Sequence, residues 1–256
     1  GPPNSFFGPR ATEEINWAAH DPTTLAQNLA STNLIIYTGN GQSGPYDSAI
    51  PNPLAGAIEA GVEQLSILFH NRLQALGIPS TFDDYGPGTH SWPYWTRDLQ
   101  WAIGPLMTWF AHPDPTPKAV TYMSADPAYS VYGWSVTMHR AVREFSVLAH
   151  AGPNGFTLRG SGSATVLTPA RYARHARYRV TEHTGDTTQT SVATTGAGHR
   201  LRVTVALGPS NTVQEYPADG PAVGTTVSTS RVSFTWMRPT RHHARRQPTV
   251  RRRART

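Results

Sequence analysis

The stretch Tyr85-Gly86-Pro87-Gly88-Thr89-His90-Ser91-Trp92-Pro93-Tyr94-Trp95 decides how the rest of the chain is read. Just before it, Thr81–Asp84 has the composition of a short, half-buried strand. Gly86, Pro87 and Gly88 then force a sharp turn, and the turn presents one histidine, His90, at its end. Ser91 follows where a helix cap belongs. Trp95, Leu99, Trp101, Ile103, Leu106, Met107 and Phe110 occupy apolar positions of an amphipathic helix running to about Phe110.

Strand, tight turn, accessible His and capped helix is the order in which an α/β-hydrolase displays its general base. His90 is therefore a candidate acid–base residue, although it is one of 11 histidines and turns often carry one. The carboxylates that precede it and could hold its imidazole are Asp47, Glu59, Glu63, Asp83 and Asp84. Asp83 and Asp84 lie on the strand that leads into the turn, a poor position from which to reach the ring.

Two further strings stand upstream, Phe6–Leu29 (FFGPRATEEINWAAHDPTTLAQNL) and Asn33–Gly41 (NLIIYTGNG). Together with GPGTHSWPYW, they resemble the C-terminal half of the catalytic domain of the antigen-85 mycolyltransferases and the wider actinobacterial esterase family. The resemblance covers about residues 5–111. It implies the C-terminal part of an α/β-hydrolase fold and a serine esterase or acyltransferase acting on fatty acyl esters through an acyl-enzyme. His90 would be its general base and acid. Glu59, within Ile58-Glu59-Ala60-Gly61-Val62, falls where the family's Leu-Glu-x-x-Val carries its catalytic glutamate, with Asp47 in reserve. Trp92 would line the acyl or sugar pocket, and Phe7-Gly8-Pro9 matches a loop near the site. The resemblance implies no cofactor, a glycolipid or acyl ester substrate, and a protein that is secreted or associated with the cell wall.

The family's nucleophile sits in G-x-S-x-G before the acid in chain order, and none of the 256 residues forms that motif. Gly133-Trp134-Ser135-Val136-Thr137 lacks the second glycine and follows His90. Gly160-Ser161-Gly162-Ser163 reads as a hairpin turn, and Gly41-Gln42-Ser43-Gly44 fails the spacing. The expectation is a piece of a longer enzyme, without its nucleophile and inactive as it stands. The alternative is a non-catalytic wall-binding or scaffold protein.

Outward from this centre, residues 1–21 read as loop because prolines and glycines punctuate them. A short helix is expected over about 22–31, capped by Asp21 ahead of Pro22. Leu34–Tyr37 reads as a strand buried on both faces, and about 54–76 as a helix ended by Gly77. Two parallel strands and two helices are too few to close both faces of a sheet. Residues 1–112 are thus a partial α/β unit. His112–Pro117 alternates proline into a stiff linker, 113–117 at its narrowest. Over 118–237 the chain turns to Thr, Ser, Val, Gly and Tyr. Period-2 runs at 129–139, 143–149, 155–165, 178–182, 200–206, 213–216 and 223–236 predict an antiparallel β-sandwich of roughly seven strands.

Residues 238–256 hold eight of the 22 basic residues and no acid. They read as a disordered tail, or as GC-rich DNA translated out of frame, and no nucleic-acid-binding fold accompanies them. The formal charge of +6 comes from this tail, because acids outnumber bases in the body. Without cysteine there is neither a disulfide nor a thiolate metal site. His242-His243 and the His112/Asp114 pair lack a full ligand set, so no metal is expected. No apolar run approaches the length of a membrane-spanning helix.

Overall fold

The computed structural model describes residues 6–217 and 222–238. The architecture is mixed α/β. Three α-helices and a parallel strand pair fill the first part of the chain, and two antiparallel sheets fill the second.

Helix α1 spans Arg10–Ala18, in a stretch expected to be loop. The prolines and glycines lie only at its borders. Between Pro9 and Pro22 the chain carries Ala and Glu with neither breaker, and Pro9 opens the helix. The helix expected at about 22–31 shrinks to a 3₁₀ turn at Ala26–Leu29. Asp21 does cap the preceding turn, accepting hydrogen bonds from the backbone of Thr23 and Thr24 at 3.0 Å. Strand β1, Ile35–Thr38, pairs in parallel with β2, Thr81–Asp84. Helix α2 covers Pro53–Ala75, with the Asn52 side chain capping the Ala55 N–H at 3.2 Å. Helix α3 covers Trp92–Ala111.

The small core of this part joins Ala26, Leu73 and Ile78 to Leu34, Ile36 and Phe69. It covers one side of the strand pair, so β1 is half-buried rather than buried on both faces. Beyond Phe69 and Leu73, much of the apolar stripe of α2 faces outward, as does that of α3. Leu54, Leu65 and Leu68 of α2 are exposed, as are Leu99, Trp101, Ile103, Met107 and Phe110 of α3. Tyr94 is the buried residue of α3, and Trp95, expected in the core, is 37% exposed.

Ten strands follow. They are β3 Val120–Ser124, β4 Ala128–Val131, β5 Trp134–His139, β6 Ser146–Gly152, β7 Gly155–Gly160, β8 Ser163–Leu167, β9 Arg177–Thr184, β10 Thr187–Thr194, β11 Arg202–Ala206 and β12 Ser228–Met237. One sheet has the order β10-β9-β12-β7-β6-β3 and the other β11-β8-β5-β4. Both feed one apolar cluster, with Trp134, Val136, Val166, Val203 and Val205 from the smaller sheet and Leu148, Phe156, Leu158, Val180, Val232 and Phe234 from the larger.

Three expected runs change form. Residues 129–139 split into two strands because Tyr132 (φ 45°) and Gly133 (φ 81°) make a tight hairpin turn. Residues 155–165 split at Ser161-Gly162. Residues 213–216 form no strand, since Tyr216 instead packs edge-on against Phe145.

The two parts touch. Ile15 and Ala18 of α1 share a cluster with Ala125 and Phe145. Asn28 bonds both backbone groups of Met123, donating to its oxygen at 2.9 Å and accepting from its N–H at 2.8 Å. An amide side chain thereby closes the free edge of β3. Of the tail expected at 238–256, residues 239–256 lie outside the described residues, His242 and His243 among them.

Candidate active site

The loops that leave the C-terminal ends of β1 and β2 lie side by side. The Asn40 N–H donates to the Gly86 oxygen at 2.8 Å and the Gly41 N–H to the Gly88 oxygen at 2.9 Å. Such close approach needs glycine. Gly41 has φ +80°, and a Cβ there would stand 2.2 Å from the Gly56 oxygen. This zipper brings α2, which follows the first loop, under the second loop. The His90 N–H then donates to the Ala55 oxygen at 3.2 Å.

One turn further along α2 stands Glu59, 5% exposed. Its Oε2 lies 2.8 Å from His90 Nδ1, and its Oε1 accepts the Gly39 N–H at 3.0 Å. A buried carboxylate costs free energy unless its oxygens are bonded, and here both are. The His90 side chain is about one-third exposed, so the ring is held on its Nδ1 side and open to solvent.

The other candidate carboxylates are engaged elsewhere. Asp47 accepts hydrogen bonds from the Thr89 hydroxyl, from Tyr94 OH at 3.0 Å and from the Gly44 N–H at 2.8 Å. Burial pulls its carboxyl upward, but these three donors together hold it below its ordinary value. Asp47 therefore pins the residue next to His90 rather than the imidazole. Asp83 pairs with Arg97 at 2.9 Å, and Asp84 accepts the Gly86 N–H at 3.2 Å. Glu63 contacts Gln64 at 3.4 Å, one turn beyond Glu59.

Aromatic rings frame the histidine. Trp95 meets the His90 ring edge-on at 4.9 Å, and Trp92, 76% exposed, meets Trp95 at 4.7 Å. Tyr85 stacks on Tyr94 at 5.7 Å, and the Arg97 guanidinium lies 4.2 Å from the Tyr85 ring. Burial first, and the nearby charges of Asp98 and Glu59 second, push the Tyr85 hydroxyl well above its ordinary value, so it stays neutral. Sequence reasoning missed the Asp47–Thr89–Tyr94 brace. Its signal lay in Thr89 and Tyr94, which flank His90 inside the stretch already singled out.

No protein-family model matches the chain. Curated proteins do. The diacylglycerol acyltransferase/mycolyltransferase Ag85C of Mycobacterium leprae is 30% identical over 97 residues, which are 38% of this chain and 28% of that protein. Ag85B of Mycolicibacterium smegmatis is 30% identical over 106 residues, 38% of this chain and 30% of its own length. Ag85A of Mycobacterium bovis is 32% identical over 111 residues, 40% and 32% respectively.

Over part of its length, this chain is antigen-85-like. It spans under a third of the length of each of these relatives.

At His90 the geometry can do one thing plainly. Nδ1–H donated to Glu59 leaves Nε2 as the basic nitrogen, facing away from the carboxylate. Among the described residues, no hydroxyl hydrogen-bonds Nε2. Ser135 pairs with Ser130 on the β4–β5 hairpin at 2.9 Å, and Ser161 is buried against Glu144, so neither belongs to this site. Among the described residues no cluster of three or more His, Asp or Glu could hold a metal ion, and Asp114 instead accepts from Asn33 at 2.9 Å. No helix among them is long and apolar enough to cross a membrane.

Proposed function

We propose that residues 1–112 are the C-terminal half of an α/β-hydrolase domain and that His90 is the general base and acid of a serine acyl transfer. Glu59 fixes the tautomer and orientation of the ring. The residues 118–237 that follow are read as an appended β-sandwich. The observation that carries this proposal is the His90 Nδ1–Glu59 Oε2 bond of 2.8 Å, made to a buried carboxylate whose second oxygen is taken by the Gly39 N–H.

In this reading His90 Nε2 removes the proton from a serine hydroxyl as it attacks an acyl ester. The imidazolium, stabilised by Glu59, returns the proton to the departing alcohol. The second half-reaction repeats the exchange with an acceptor alcohol or water. The names of the relatives, diacylglycerol acyltransferase/mycolyltransferase, point to acyl transfer, and in this reading the substrate is an acyl ester or glycolipid and Trp92 lines the acyl or sugar pocket. An exported or wall-associated enzyme fits such substrates. The serine is not among these 256 residues in G-x-S-x-G form, so they hold the proton-transfer half of the site and do not turn over esters alone.

A chimera tests the reading. The part of an Ag85C relative that precedes its matched segment is joined to residues 6–111 of this chain. The expected result is labelling by a serine-directed fluorophosphonate and turnover of a short-chain nitrophenyl ester. Changing His90 to Ala should lower that turnover by about 10²–10⁴-fold. A folded chimera whose turnover ignores His90 would leave the non-catalytic, binding reading in its place.

A further inference from the structure

The outer face of the six-stranded sheet has a composition that the acyl-transfer reading does not use. Burial fixes which side of each strand faces out. In β9, Tyr178 and Val180 point into the core, so Arg177, Arg179, Thr181 and His183 point outward. In β12, Val232 and Phe234 point inward, so Arg231, Ser233 and Thr235 point outward. The register agrees. Arg231 lies opposite His183, Ser233 opposite Thr181 and Thr235 opposite Arg179. On the edge strand β10, Thr188, Thr190 and Val192 lie opposite His183, Thr181 and Arg179, and His183 Nδ1 meets the Thr188 hydroxyl at 2.8 Å.

Among the described residues, no acid points outward from β10, β9 or β12. Glu182 faces the other way and accepts from the Ala206 N–H at 2.8 Å and the Ser230 hydroxyl at 3.0 Å. Arg177, Arg179 and Arg231 form no ion pair among the described residues. From Arg177 to His183 the row runs about 20 Å along one strand. At the His183 end, Arg231 continues it into an open depression also lined by Lys118, His150 and Thr157. The α1 segment and the Phe145–Tyr216 contact lie against the opposite, β3–β6 end of the sheet and leave this half bare.

We propose that this face binds an extended anionic glycan. The guanidinium groups would engage acidic groups spaced along the polymer, and the alternating Thr and Ser hydroxyls would engage sugar hydroxyls. Two other polyanions fit less well. A single-stranded nucleic acid is gripped through aromatic platforms, and none points outward from these three strands. An anionic membrane is gripped by basic residues beside large apolar anchors, and only Val192 and Met237 are apolar on the outward side. This inference rests on the antiparallel sheets and is independent of the role given to His90.

Heparin is the probe, and the full chain is the protein. Two charge-matched variants are compared, Arg177→Ser/Arg179→Ser on the face and Arg10→Ser/Arg72→Ser away from it, on α1 and α2. Both keep the Arg-rich end, so its contribution cancels. The face variant should bind heparin about tenfold more weakly at physiological salt, with a salt slope smaller by about 2, while the control stays close to wild type. Equal losses in the two variants would overturn the proposal, because binding would then follow net charge. It would also be overturned if vesicles rich in anionic phospholipid, or a single-stranded oligonucleotide, bound more tightly than heparin and lost that binding in the face variant.

Discussion

At the scale of single residues, the site is defined by what each carboxylate accepts. Glu59 serves a backbone N–H with one oxygen and His90 with the other. Glu59→Ala would strand the buried Gly39 N–H and free the part-buried His90 Nδ1. The expected cost is about 1–3 kcal/mol in the urea-unfolding free energy. An unchanged midpoint would show that the two bonds do not form in solution. Asp47 supplies a pH signature. Its carboxyl sits below the ordinary 3.8 in the folded protein. Its contribution is thus complete above pH 3.8 and is lost as pH falls through the lower folded value. Amides of the Gly39–Pro53 loop should keep their exchange protection at pH 6 and lose it only as pH falls below 3.8, earlier than those of β5 and β8. His90 was legible in the sequence because Gly-Pro-Gly and a capped helix bracket it. Glu59 was legible only through resemblance, since there were five candidate carboxylates before His90 and spacing alone does not choose among them. In the fold Glu59 is the one of the five that hydrogen-bonds the His90 ring, while Asp83 pairs with Arg97 and Asp47 with Thr89.

At the scale of elements, the strongest reading came where periodicity and punctuation agreed. β2, α2 and α3 lie within about a residue of their expected bounds, each ended or opened by Gly, Pro, Asn or Ser. Three elements were not read. α1 hides between prolines that mark its borders rather than break it. β3 follows directly on a proline-rich stretch. β10, Thr187–Thr194, is exposed on both faces, so selection for an apolar alternation is absent. Two substitutions test how elements are joined. Gly41→Ala must place a Cβ against the Gly56 oxygen at a positive φ, and it should destabilise by about 1–3 kcal/mol or more and loosen the His90 loop. Asn28→Ala removes both bonds to Met123 and should cost about 1–2 kcal/mol, read as a lowered thermal midpoint.

At the scale of the whole molecule, the change of composition near residue 117 announced two kinds of structure. The contact between them did not show, because Asn28 and Met123 stand 95 residues apart. The apolar faces of α2 and α3 depart from what amphipathic helices predict, since much of the α2 stripe and most of the α3 stripe face solvent. Large exposed apolar patches mark docking surfaces. The chain should bind the dye ANS in its native state, and Leu65→Lys/Trp101→Lys should remove most of that signal with little loss of stability, because neither side chain is buried. ANS binding that survives the double change would place the apolar surface elsewhere.

The central claim is that Glu59 holds His90 with Nδ1 protonated and Nε2 free to accept a proton. ¹⁵N-detected NMR of the imidazoles at pH 8, with His90 assigned by the His90→Gln variant, reads this directly. The account predicts a dominant Nδ1–H tautomer for His90, which shifts toward Nε2–H when Glu59 is changed to Leu. An Nε2–H tautomer in the unaltered chain, or one indifferent to Glu59, would contradict it.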